Sequence, residues 1–443
     1  MSQAYGARFA GPQSVVRRIV LSACCTVSGA LLAWMASPAS PQGATTQHLQ
    51  AVICPSFVRL EPGAKQQFAV KMTPGACKVS AASGKAAPAG ARPPAVESWS
   101  ANGIPGGSSE FGAIAPGGLY TAPARIPAVN EISITAALQG EPKRYVWATV
   151  LLGPGEPKYS LVARWGEEGK GPGQFAEPHG ICLDAEGNVL VTDAQNNKVY
   201  RFTHEGKLIG ELTAGASPFE SPRDVTVDAA GDIFVVDSPA GRIQRFDRLG
   251  QVTASWGEKG SEPGQFLHAH AIIAAPGGRI YAAEVNNCRI QVYDSSGKFL
   301  LQWGERGTGP GQFTAPFGVA ADPNGDIFVC EFDGRRCQKF TSDGVHLITF
   351  AVAPADQQLS YHALTCDRRG NVYVMIWDNP RKLAWVAKYN NQGDAITTFA
   401  PPLKPGSSFK PTCATTDEQG RVYVTDRGTA SVGIAVFAPG GNE

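Results

Sequence analysis

The sequence predicts an all-β protein, a β-propeller of six blades preceded by a small β-sandwich. Three observations carry this. A stretch typified by residues 175–202, FAEPHGICLDAEGNVLVTDAQNNKVYRF, returns in variants as far as the C-terminus. Upstream of it, short runs alternate apolar and polar residues between turn-forming clusters. The 51 glycines and 33 prolines among 443 residues leave few long helical patterns and suit many strands joined by tight turns.

The chain opens with Arg8, Arg17 and Arg18 ahead of an apolar run, Ile19 to Ala36, followed by small residues at Ser37-Pro38-Ala39. Residues 1–39 therefore read as an export signal, with a mature protein beginning near Ser40 in the periplasm, at the cell surface or outside the cell. The run is near the lower length limit for a membrane span, so an uncleaved anchor stays open and is the one membrane link expected. Leu21-Ser22-Ala23-Cys24 resembles a lipoprotein box but comes too early in the run, and the Arg17-Arg18 pair is common in ordinary signals. Residues 40–50 are polar and read as a flexible tether.

A formal net charge of +1 with mixed signs argues against a nucleic-acid partner, which needs a clustered basic face. Of ten cysteines, Cys24 and Cys25 fall in the signal, and the other eight belong to a chain bound for an oxidising compartment. Cys54 with Cys77, and Cys330 with Cys337 on one hairpin, are the disulfide candidates. Cys182 and Cys366 read equally well as small buried hydrophobes.

From residue 51 to 152 the short runs Phe57 to Leu60, Gln67 to Met72, Val96 to Ser100, Ile132 to Ala136 and Tyr145 to Val150 predict the sandwich, interrupted by a long loop at 79–95. Trp99 in ESWSANG, followed by FGAIAPGGLYTAP, resembles the immunoglobulin-like domains of exported bacterial proteins, which implies a spacer or adhesion module. No cluster of catalytic residue types occurs there. Residues 153–158, GPGEPK, form a linker.

The repeats align on the turn between their first two strands: DAEGN from Asp184, DAAGD from Asp228, APGGR from Ala275, DPNGD from Asp322, DRRGN from Asp367 and DEQGR from Asp417. In the first four copies the third strand ends in an aromatic residue 18 positions later, and slightly further in the last two. Three connectors, WGEEGKGPGQF from Trp165, WGEKGSEPGQF from Trp256 and WGERGTGPGQF from Trp303, each follow a strand that closes a blade. The last repeat has only three strands, so residues 159–165 are expected to supply its fourth and close a propeller spanning 159–443. With FxxPxG, DxxG, an acidic residue and RIQxF in order, these repeats resemble the NHL family, which implies a six-bladed propeller.

Acidic residues followed five positions later by a base, Asp193 with Lys198, Asp237 with Arg242, Glu284 with Arg289 and Glu331 with Arg336, cross one hairpin in blade after blade and read as structural ion pairs. DPNGD at Asp322 reads as a turn and not a calcium loop, because every blade has its analogue. The position five before each turn start differs. It holds His179, Arg223, His270, Phe317, His362 and Thr412, at the entry to the innermost strand. The three histidines are 91 and 92 residues apart and occupy alternate blades, so they converge about 120° apart around the axis. Three neutral imidazoles with an open axial position suit zinc or another divalent transition metal. The bland alternative is that each bonds a neighbouring carbonyl at the channel mouth.

EPHG at His179, HAHA at His270 and SYHA at His362 resemble the zinc-binding motifs of the peptidylglycine alpha-amidating lyases, also six-bladed NHL propellers. That resemblance implies a metal-dependent carbon–nitrogen lyase acting on a small peptide-like, hydroxylated glycine amide, with Arg427 in VYVTDRG at the place of the family's catalytic arginine. Arg223 is a second candidate contact in the channel. The family's catalytic tyrosine is replaced by Ser238-Pro239, and its calcium-ligand aspartate after the third histidine by Ala363. Tyr361 is the nearest substitute. The competing expectation is a non-enzymatic propeller binding a protein or glycan on one rim, and a monomer is expected in either case.

Overall fold

The computed structural model describes residues 50–73, 92–215, 217–351, 357–429 and 431–440. The expected signal, the tether up to Leu49 and most of the 79–95 loop lie outside them. Every regular element among the described residues is a strand, and no helix there is long and apolar enough to cross a membrane.

The described residues between 50 and 152 form a sandwich. In one sheet Phe57–Leu60 runs parallel to Arg144–Leu152, which pairs with Glu131–Leu138, and that strand pairs in turn with Val96–Ala101. Facing it are the short strands Lys65–Gln67, Leu119–Thr121, Gly112–Ile114 and Gly107–Ser108, while Gln50–Cys54 pairs with Ala69–Thr73. Ile132, Ile134, Ala136 and Leu138 alternate inward against Phe68, Trp99, Tyr120 and Val150 in one core. The APGGLY turn needs its second glycine: Gly118 has φ +81°, and a Cβ there would stand 2.4 Å from the Phe68 carbonyl and 2.9 Å from the Trp99 ring. Cys54 is disulfide-bonded, and Cys77, its expected partner, lies outside the described residues.

From Lys158 to Gly440 the described residues form a β-propeller of six four-stranded antiparallel sheets, numbered as blades one to six in chain order. Their innermost strands are Pro178–Leu183, Pro222–Val227, Ala269–Ala274, Pro316–Ala321, Leu359–Cys366 and Pro411–Thr416; each packs on the next and the last returns to the first. Blade six is completed by Lys158–Trp165, antiparallel to Gly433–Gly440, so that the first and last strands of the propeller share one sheet and close the ring.

Each turn aspartate accepts from backbone N–H groups two and four residues on, as Asp322 does from Asn324 and Asp326, which accounts for DPNGD without calcium. The carboxylate ending the second strand is wholly buried in five blades, at Asp193, Asp237, Glu284, Glu331 and Asp426. In four of these blades it accepts backbone N–H groups of the segment entering the innermost strand, from Glu177, Glu220, Thr314 and Lys410. Arg242, Arg289 and Arg336 cap their expected carboxylates at 2.8, 2.7 and 2.5 Å. Lys198 does not cap Asp193. Its ammonium pairs with Glu211 on the outermost strand, and the Asn196 amide covers Asp193 instead.

In the connectors, Phe175, Phe266 and Phe313 are fully buried between blades. Gly166 keeps φ +99° because a Cβ would fall 2.7 Å from the Phe175 ring. Cys330 and Cys337 are directly opposed across one hairpin, yet both are free thiols. Cys330 Sγ is turned toward the Tyr361 carbonyl of the next blade, 3.8 Å away, so the two sulfurs serve interblade packing.

The sandwich sits on the end of the propeller that carries the DxxG turns. Asn324 exchanges two hydrogen bonds with the Tyr145 backbone, Asn390 Nδ2 donates to the Ser56 carbonyl, and Lys388 forms a buried ion pair with Glu131 at 2.6 Å. A cleft at this seam is lined in part by Glu131, Tyr159 and Lys388, whose polar groups are already spent on one another. The entries of the innermost strands lie at the opposite end.

Candidate functional site at the channel mouth

Each innermost strand carries a register shift at its entry, between Pro178 and Ile181, Pro222 and Asp224, Ala269 and Ala271, Pro316 and Gly318, Tyr361 and Ala363, and Pro411 and Ala414. A bulge re-aims side chains. Here it lies at the ring position in every blade. His179 and His270 stand with ring centroids 4.8 Å apart.

Their anchoring is the same. His179 Nδ1 lies 2.8 Å from the Arg223 carbonyl and His270 Nδ1 2.9 Å from the Phe317 carbonyl, in both cases the ring residue of the following blade. A carbonyl only accepts, so each Nδ1 carries the proton and, in the neutral ring, Nε2 holds a lone pair. His362 departs from this pattern. Its ring stacks on Trp377 at 3.5 Å, and both its nitrogens are buried without a hydrogen-bond partner. Burial first, and neighbouring positive or imidazole groups second, hold all three histidines well below the usual imidazole range, so they are neutral near pH 7.

Blade five explains the departure. Its second strand, Val372–Asp378, is two residues longer than its counterpart Ile233–Asp237 in blade two. Nine residues past the turn start, where five blades carry a carboxylate, it has Ile376, and the next residue is Trp377. The same next position holds Ala194, Ser238, Val285, Phe332 and Arg427 in the other blades, which makes a second ring around the histidines. Trp377 is fixed by its indole N–H, which donates to the Pro411 carbonyl at 2.8 Å.

Arg427 follows Val422–Asp426 and reaches the mouth, its guanidinium 5.0 Å from the centre of the Trp377 ring. Glu177 Oε1 accepts from Arg427 Nη1 at 2.7 Å and from Arg223 Nη1 at 3.3 Å. The structure thus brings His179, His270, His362, Arg223 and Arg427 to one mouth. Of the other ring residues, Phe317 packs against His270, and Thr412 turns its hydroxyl away to the Pro178 carbonyl. Tyr361 is buried with its hydroxyl on the Ala351 carbonyl, pointing away from the histidines, so it cannot replace the absent tyrosine. His268, 5.8 Å from His270, borders the mouth in a groove shared with Arg223, Ser238 and Asn286. Glu177, Phe332, Trp377 and His268 escaped sequence reasoning, although the residue ten positions past each turn start marks the outer ring.

Among the described residues no group of three His, Cys, Asp or Glu side chains is placed to hold one metal ion. The donor chemistry itself fits a divalent transition metal: three neutral imidazoles, two of them oriented through Nδ1 and the third with both nitrogens orphaned.

The profile of the NHL repeat matches residues 175–202 and 219–246, within blades one and two. These segments are NHL repeats, and the fold that contains them is a β-propeller. A 50-residue stretch is 40% identical to the protein lin-41 of Caenorhabditis elegans, covering 11% of this chain and 4% of that protein. A Bacteroides thetaiotaomicron structural-genomics protein of unknown function is similar over 89% of this chain and 99% of its own, at 13% identity and a TM-score of 0.50. Virginiamycin B lyase from Staphylococcus aureus is similar over 63% of this chain and 89% of its own, with 16% identity and a TM-score of 0.45. At 13% identity the likeness to the Bacteroides protein speaks to the fold alone.

Proposed function

We propose that this is an exported protein in which an immunoglobulin-like module carries a six-bladed NHL propeller, and that the channel mouth is the site of a lyase-like activity on a small peptide-like substrate, resembling peptidyl-hydroxyglycine amidating lyase. The observation that carries this reading is the paired anchoring of His179 and His270, whose Nδ1–H groups are tied to the next blade and whose lone pairs are left over. His179, His270 and His362 would together hold the metal, zinc being the leading candidate. When bound, such an ion would supply Lewis acidity at a hydroxyl oxygen of the substrate.

The chain's own groups have separable roles. Arg427 and Arg223 hold the substrate's carboxylate or carbonyl, and Trp377 and Phe332 exclude water from one side. The base that takes the hydroxyl proton is unassigned, since Ser238 and Pro239 stand where the family has its tyrosine.

The test is glyoxylate release from peptides ending in α-hydroxyglycine by zinc-loaded protein. Release is expected, and Arg427→Gln should lower it by about a hundredfold or more. No release would favour the second reading, an extracytoplasmic binding propeller that holds a protein or glycan on one rim. The stacking of His362 on Trp377 is the observation that favours this alternative.

A further inference from the structure

We propose that the mouth recognises a carboxylate borne by an aromatic or similarly flat apolar group, and that the Glu177 side chain occupies the anion's place until such a ligand arrives. The inference rests on reading the mouth as a ligand site but needs no metal. Glu177 lends one carboxylate oxygen to two guanidinium groups, at 2.7 Å from Arg427 and 3.3 Å from Arg223. Two guanidinium groups thus share a single carboxylate. Arg223 Nε is in addition buried without a partner, so the guanidinium has donor capacity that Glu177 leaves unused. All three side chains are a quarter to a third exposed, which lets an incoming anion reach them.

The apolar half of the ligand is read from the asymmetry of the outer ring. Ala194, Ser238 and Val285 are small, whereas Phe332 and Trp377 are large and adjacent. Phe317 and Phe332 pack with tilted rings at 4.8 Å, Phe332 meets His362 edge-on at 4.9 Å, and His362 lies on Trp377 at 3.5 Å. This wall from blades four and five ends under Arg427, 5.0 Å over the indole. A planar group lying along the wall brings an attached carboxylate to Arg427, where it displaces Glu177 and gains charge-assisted hydrogen bonds. No covalent step is involved.

The test uses the full chain dialysed against a chelator, with metal content measured on the same sample and binding followed by calorimetry and tryptophan fluorescence. Probes are N-acetylphenylalanine, its amide, N-acetylalanine and a pentapeptide with a free C-terminal phenylalanine. N-acetylphenylalanine should bind about tenfold tighter than either its amide or N-acetylalanine. Glu177→Gln should tighten binding of N-acetylphenylalanine by about three- to tenfold, a gain that misfolding cannot mimic. Trp377→Leu should abolish the preference for the aromatic acid.

Binding of the free acid without the pentapeptide identifies a small organic acid as the source of the ligand, and binding of the pentapeptide identifies a peptide C-terminus; both support the proposal. Equal binding of the phenylalanine and alanine acids, or no gain in Glu177→Gln, overturns it. Failure of the metal reading is separate, because it appears in the metal content and not in these affinities.

Discussion

The buried pair Lys388–Glu131 should behave as the bolt between sandwich and propeller. Lys388 Nζ lies 2.6 Å from both Glu131 oxygens and 3.1 Å from the Tyr159 hydroxyl, with the two side chains 4% and 5% exposed. At an effective dielectric near 20 the attraction at this distance is about 6 kcal/mol, offset by several kcal/mol of desolvation for each ion. The pair therefore adds little relative to an apolar replacement, yet removing one partner strands the other. Lys388→Met should cost about 3–5 kcal/mol, Glu131→Leu a similar amount, and the double variant well under their sum. Urea unfolding of the four proteins, followed by tryptophan fluorescence, measures the coupling. Additive costs, or single variants within about 1 kcal/mol of wild type, would refute the reasoning. Because Glu131 and Tyr159 raise the Lys388 pKa against burial, the contribution is present below the usual lysine range and is lost only as pH climbs through the raised folded value.

Further expectations follow the same physics. Asp224 is buried with only the Ile272 and Val225 N–H groups for company, and burial pushes its carboxyl up to about 7. Its folded value exceeds its unfolded one, so its own contribution to stability is greatest below about pH 4 and falls until pH passes about 7, by at most about 4 kcal/mol. Asp224→Asn should flatten that slope relative to wild type in melts across pH 4–8. Arg289→Met should cost about 3–5 kcal/mol because it leaves the Glu284 carboxylate unpaired and wholly buried. Lys198→Ala, which breaks only the exposed pair with Glu211, should stay within about 1 kcal/mol in the same denaturation assay.

The propeller was legible because its period is written in strong local signals. Asp184, Asp228, Asp322, Asp367 and Asp417 each fix a turn through their own side chains, and counting five residues back from each lands on the bulged entry of an innermost strand. What stayed hidden depends on side-chain direction across blades. The longer repeat five, and Ile376 where other blades have a carboxylate, were visible as counts, but not that the extra residues lengthen the second strand. Trp377 consequently meets His362, and the symmetry of the three histidines is broken at that blade. Lys198 shares its sequence position with Arg242 and Arg289. Its ammonium instead meets Glu211, a residue of the outermost strand that spacing within the hairpin could not reveal. Likewise, opposed positions for Cys330 and Cys337 did not decide bonding, because the sulfur of Cys330 is drawn toward the carbonyl of Tyr361.

The most direct test of the three-histidine centre is elemental analysis of the purified protein after zinc reconstitution, beside a variant carrying His179→Ala, His270→Ala and His362→Ala. About one metal per chain is expected in the wild type, and none retained by a variant that still unfolds cooperatively. Equal metal in both proteins, or none in either, would contradict such a centre and leave the mouth a metal-free binding site.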